Sequence, residues 1–181
     1  MNLLDMIMNA QNGDVVRQIA TNFKLDERQA RSAVGELVPA LSRGISRNTK
    51  DNEQGLNDLF EALRRGDHGR YIEHPSVATE RVAVEEGNGI LGHIFGSKEV
   101  SRNVASHAAE HSGVDSSVLK KMLPVLASVA MGALAKNGFG SAAGGSSQGA
   151  GLGGLLSSFL DSDKDGSVLD DVIGMAGRFM R

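Results

Sequence analysis

The densest set of metal-ligand residue types in the sequence is Asp161-Ser-Asp-Lys-Asp-Gly-Ser-Val-Leu-Asp-Asp171. Carboxylates at the first, third and fifth positions, with glycine at the sixth, form the front half of a calcium loop of the EF-hand type. The alternation aims Asp161, Asp163 and Asp165 at one point, the glycine permits the turn that follows, and Ser167 would offer its backbone carbonyl. The twelfth position, where a bidentate acid normally closes such a loop, is Val172. Asp171 stands one residue early, a rotation of about 100° on a helix. Closure falls to Asp170 or Asp171, or waters complete a weaker site. Bound Ca2+ is the cofactor this stretch predicts. The competing reading is a solvated acidic turn, with Ser167 capping the last helix and Asp170 and Asp171 favouring its positive end.

Other constellations carry less. His107-Ala-Ala-Glu-His111 spells H-x-x-E-H, in which two histidines four apart share a helix face and could hold zinc beside Glu110 as general base. A zinc-dependent hydrolase of that class needs a further ligand downstream, and no glutamate follows Glu110; Glu73, Glu85 and Glu86 lie upstream. Exposed histidines are the plainer expectation. Gly87-Asn-Gly-Ile-Leu-Gly92 matches the dinucleotide fingerprint, which has force only between a strand and a helix. Arg81-Val-Ala-Val-Glu85 makes a poor strand, so these glycines are expected to punctuate helices. Arg28 and Arg31 sit where a DNA-reading helix-turn-helix makes base contacts. Residues 14–50 carry seven Lys/Arg against four Asp/Glu, a bias short of a basic stripe, so nucleic acid is disfavoured. No spacing assembles a nucleophile with a base, and no enzyme is expected.

The elements that must position these residues read as helices. Leu3 to Ala10 is a short amphipathic helix with Leu3, Leu4, Ile7 and Met8 on one side, and Gly13 ends it. Asp14 is placed to cap a helix carrying Val15, Val16, Ile19 and Phe23, and Asp26 to cap a longer one. That longer run turns Ala30, Ala33, Val34, Leu37, Leu41 and Ile45 inward, with a kink or break expected near Val38 because Pro39 follows. Asn52 to Arg65 reads as helix, His74-Pro75 as a turn, and Ser76 as the cap of a helix bearing Val77, Val82 and Val84. From Met122 to Ala135 only Ser128 is polar, which predicts a core helix. Fourteen residues rise about 21 Å, short of the roughly 20 residues a membrane span needs, so no span is expected.

The chain also repeats itself. Sliding it by the 89 residues that separate Asp26 from Asp115 lays Leu37 on Leu126, Ile45 on Leu134 and Asn48 on Asn137. The expected architecture is all-α: two related helix-turn-helix units, about 14–48 and 103–137, form one helical domain over 1–137. A Gly/Ser-rich linker at 138–154, with eight glycines, leads to a C-terminal helix–loop–helix at 155–181 that carries the acidic loop. Absence of cysteine excludes disulfides, thiol catalysis and thiolate ligation. A net charge of −3 gives no general pull toward polyanions. The first ten residues hold an acid and no Lys or Arg, unlike a secretory signal, and the cytoplasm is the expected compartment.

Three stretches together resemble a known family: Leu25-Asp-Glu-Arg-Gln-Ala30 with Leu37-Val-Pro-Ala-Leu41; Ile90-Leu-Gly-His-Ile-Phe-Gly96 with Val114-Asp115 and Met122-Leu-Pro-Val-Leu126; and the acidic motif from Asp161 to Asp171. They resemble the bacterial YidB-like family of uncharacterised proteins. The resemblance implies an all-helical fold, homeodomain-like in shape, with a glycine-rich linker and an acidic C-terminal motif in which the double acid at 170–171 is usual. It brings no activity, substrate or catalytic residue. The combined expectation is a non-enzymatic binding or structural module with a protein partner and a calcium-binding tail.

Overall fold

The hydrophobic run at 122–134 sets the architecture. Every residue from Met122 to Leu134 is buried, as its near-lack of polar groups predicts. The computed structural model describes residues 2–50, 54, 58, 61–62 and 67–136, and every regular element among them is helical. They are α1 (Leu3–Asn9), α2 (Asp14–Phe23), α3 (Glu27–Lys50), α4 (Arg70–Glu73), α5 (Arg81–Phe95), α6 (Lys98–Ser112) and α7 (Ser116–Leu134), with 3-10 turns at Ala10–Gly13 and Pro75–Thr79. The all-α class read from the sequence is the class observed. The linker at 138–154, the tail at 155–181 and most of the helix expected over 52–65 lie outside the described residues.

Helix α7 is wrapped chiefly by α5 and α6, with α3, α1 and α4 completing its cover. By length and composition it is the one helix among the described residues that could cross a membrane, yet its most apolar window is 78% buried within the protein. Leu119, Met122, Leu123 and Leu126 pack with Leu37, Leu41 and Ile45 of α3 and with Leu3 and Ile7 of α1 in one cluster.

Local chemistry explains most boundaries. Asn2 caps α1, accepting from the Asp5 amide at 2.8 Å. Asp26 accepts from the Gln29 amide at 2.8 Å, while the Gln29 side chain accepts from the Asp26 amide, a reciprocal box that starts α3. Asp115 caps α7 with a single bond, accepting from the Ser117 amide at 2.8 Å. The Ser117 hydroxyl and amide hold the Asp115 carboxylate below its ordinary pKa, and Lys120 adds its charge. Lys24 and Gly113, also separated by 89 residues, both take left-handed backbone, with φ of 55° and 68°.

Three local expectations are corrected. Asp14 does not cap α2: Gly13, at φ 84°, occupies that position, and the Asp14 carboxylate turns to Arg17 at 3.4 Å. Of the kink or break expected near Val38, the break does not occur: helix α3 continues through Pro39. An interior proline costs about 3 kcal/mol, but Leu37, Val38 and Leu41 around it are fully buried, and each contributes about 1.5–3 kcal/mol. Ser76 caps nothing; Pro75 opens a 3-10 turn instead, and α5 begins only at Arg81. Val82 faces outward at 55% exposure, because α5 turns Ala83 and Gly87 toward the core.

Candidate functional site

Among the described residues two grooves open between the helices, one of them beside the central helix. The first, of 440 Å³, lies between α5, the start of α6 and the first half of α7. Leu91 and Leu123 form its apolar floor; Asn88, Ser97 and Ser101 add polar groups, and Lys98, Arg102 and Lys120 supply three cations. Among the described residues no carboxylate lines it. Among the described residues these three cations enter no ion pair within 4 Å, although Lys120 lies close enough to Asp115 to lower that carboxyl. Like charges on a concave, partly apolar surface reinforce one another and concentrate positive potential. Helical spacing produces part of this set, since Lys98 and Arg102 are one turn apart on α6. Lys120 joins them only because α7 packs beside that turn.

The second groove, of 480 Å³, separates α3 from the end of α5 and from α6. Ile94, Phe95, Val100 and Val104 line its apolar part, and Glu36, Arg43, Arg47 and His107 its polar part. Gly44 makes the approach possible: a Cβ there would collide with the side chains of Ile94 and Phe95.

The sequence-derived candidates fare differently. Asp161, Asp163, Asp165, Ser167, Asp170 and Asp171 all lie outside the described residues. His107, Glu110 and His111 come together on the exposed face of α6, with one ligand atom from each within 4.8 Å of the others. No fourth His or acid joins this group among the described residues. Gly87, Gly89 and Gly92 lie within the continuous helix α5 rather than in a strand-to-helix loop. Their backbone amides belong to the body of a helix and cannot cradle a pyrophosphate, so the dinucleotide reading is withdrawn. Gly87 instead serves packing, since a Cβ on it would overlap the Pro124 carbonyl of α7. Arg31 is engaged by Glu27, with Nε and Nη2 at 3.1 and 2.9 Å from the same carboxylate oxygen. Arg28 is exposed beside it.

A profile of bacterial proteins of unknown function, DUF937, matches residues 5–137, which is the helical body just described. The chain belongs to this family. The match fits the uncharacterised bacterial family that the resemblance implied, without carrying the narrower YidB-like label. Neither the curated proteins nor the solved structures yield a match. Both grooves and the His107 cluster lie within the DUF937 domain, whereas the acidic loop lies beyond its last matched residue.

The DUF937 domain also holds a polar cluster that sequence reasoning missed. The Tyr71 hydroxyl donates to Glu86 Oε2 at 2.5 Å and accepts from Arg70 Nη2 at 2.7 Å. Buried His68 donates from Nε2 to the Ala62 carbonyl at 3.1 Å, and its Nδ1 stands 3.7 Å from Glu86. The cluster fastens α4 onto α5. On the α7 side Gly132 lets the His68 carbonyl approach closer than any side chain would allow. The only sequence signal was a lone tyrosine one turn after a histidine, since the acid that joins them is fifteen residues away.

Burial, and then the hydrogen bond to Glu86, push the Tyr71 phenol above its ordinary pKa, against the opposing pull of Arg70. The folded chain therefore favours the neutral phenol. The stability this contributes is whole below about pH 10 and is lost as pH rises through the folded value. Tyr71 is the sole tyrosine, and there is no tryptophan, so near-ultraviolet absorbance reads this one group. Its titration is expected above that of free tyrosine, and Glu86→Gln is expected to move it downward. A phenol titrating as free tyrosine in the folded protein would contradict the cluster.

Proposed function

We propose that the protein is a non-enzymatic, cytoplasmic binding module whose DUF937 domain grips an acidic, leucine-bearing segment of a partner protein in the groove between α5, α6 and α7. The supporting observation is the lining of that groove: among the described residues, three cations in no ion pair surround an apolar floor that no carboxylate lines, in a chain whose net charge is −3. Acidic side chains would meet Lys98, Arg102 and Lys120 while an aliphatic side chain covers Leu91 and Leu123. Nucleic acid fits this lining less well. Among the described residues the groove offers no aromatic platform for bases, and in the helix-turn-helix alternative Arg31 is paired with Glu27.

The test is fluorescence anisotropy with a labelled Asp/Glu-rich peptide containing two leucines. Lys98→Glu/Arg102→Glu/Lys120→Glu removes and then inverts three contacts. Exposed ion pairs contribute up to about 1 kcal/mol each, so affinity should fall at least about tenfold, with melting unchanged. Equal affinity in the variant, or tighter retention of a DNA duplex than of the peptide, sinks the reading.

In the same proposal the tail loop binds Ca2+ through Asp161, Asp163 and Asp165, the Ser167 carbonyl, and Asp170 or Asp171. Three neighbouring carboxylates repel one another until a cation bridges them, so the ion should order the loop. Calorimetry on the full chain is expected to show heat at millimolar calcium that disappears in Asp163→Asn/Asp165→Asn. Heat that survives this double substitution would place the ion elsewhere.

A further inference from the structure

Among the described residues, one cluster of metal-binding groups takes no part in the groove or the tail. We propose that His107, Glu110 and His111 form a surface chelate for a late first-row divalent ion of the zinc or copper class, independent of the groove reading. The three residues fall at i, i+3 and i+4 on α6, so one helical turn presents two imidazoles and a carboxylate on a single face. Their ligand atoms lie within 4.8 Å of one another, and the imidazole rings are 4.7 Å apart, centre to centre. Tetrahedral coordination with metal–nitrogen bonds of about 2.0–2.1 Å brings donor atoms to about 3.4 Å. The remaining closure is a rotamer adjustment, and the side chains are free to make it: His107 is 71% and Glu110 72% exposed.

A second observation sets this pair apart from two histidines that are merely neighbours. His111 Nδ1 stands 3.0 Å from the His107 carbonyl. With the proton on Nδ1 it donates to that oxygen, which fixes the ring and leaves the Nε2 lone pair outward. Metal-binding histidines are commonly held in this way, the second nitrogen donating to a backbone carbonyl. Two nitrogens and one oxygen suit zinc, copper or nickel; magnesium and calcium prefer all-oxygen shells. Three protein donors leave positions for water, and the ion would sit at the end of α6 that carries the negative pole of the helix dipole. On the facing α3, Arg43 and Arg47 oppose a cation and Glu36 favours it, so affinity in the micromolar range is expected rather than tighter.

The experiment is titration of the full chain with zinc chloride in millimolar calcium, which fills oxygen-rich sites with the harder ion. Calorimetry should report one zinc per chain, with magnesium producing no heat. His107→Gln and His111→Gln should each weaken binding at least about tenfold, and Glu110→Gln by a smaller factor, while His74→Gln and His93→Gln leave it unchanged. Far-ultraviolet dichroism confirms that the variants keep their helices. No zinc heat up to about 100 μM, or heat that survives His107→Gln/His111→Gln, overturns the assignment.

Discussion

Leu126→Asp is expected to abolish cooperative folding of the helical domain. Leu126 is fully buried at the middle of α7, with Leu123, Val125, Ala127 and Val129 buried around it. Truncating such a leucine to alanine already costs about 2–5 kcal/mol. A carboxylate adds the cost of an unpaired charge in a site that offers it no partner. Whole domains are stable by only about 5–15 kcal/mol. Leu126→Ala should therefore melt cooperatively at a lower temperature, and Leu126→Asp should show no cooperative transition in dichroism-monitored urea unfolding. A soluble Leu126→Asp protein with a sharp transition would mean that α7 is not the core.

The second large effect is expected where α5 crosses α7. Ser128 Oγ donates to the Ala83 carbonyl at 2.7 Å, and one turn along, Gly87 lies directly against the Pro124 carbonyl. Ala83 to Gly87 ascends α5 while Ser128 to Pro124 descends α7, so the two contacts fix an antiparallel register. The atoms that a Cβ on Gly87 would meet are backbone atoms of Pro124, which cannot rotate aside. Gly87→Ala must push the helices apart, and overpacking of this kind costs about 1–3 kcal/mol or more. At roughly 2–4 °C per kcal/mol for a chain of this size, the melting temperature should fall by several degrees. Gly89→Ala, two residues on, meets nothing within 4 Å. There the gain in helix propensity, up to about 1 kcal/mol, should raise stability. Opposite signs for two glycines of one motif are the diagnostic result; a destabilising effect at both would show that packing at Gly87 is not special.

These contacts mark the division between what was legible in the sequence and what was not. The α7 core helix, the cap at Asp26, the turn at Gly13 and the inward face of α3 could all be read because each depends on neighbours within a turn or two. Spacing and side-chain chemistry decide such features before any long-range contact forms. The pairing of His107, Glu110 and His111 was legible for the same reason, since three residues on one helical turn meet whatever the rest of the chain does.

The failures share a cause as well. Pro39 argued for a kink or a break, and the burial of Leu37, Val38 and Leu41 outweighed the break. The glycines at 87–92 looked like punctuation until α7 was seen lying against Gly87. Lys120 joins Lys98 and Arg102, and Glu86 joins Tyr71, only after helices distant in sequence have docked. The sequence by itself determined the helices, their caps and the greasy segment at their centre, because those are settled by local hydrogen bonding and by period. The crossing of α5 on α7, the basic groove and the Tyr71 cluster were decided by tertiary structure alone, because each depends on which faces meet, and that follows from the packing of the whole core.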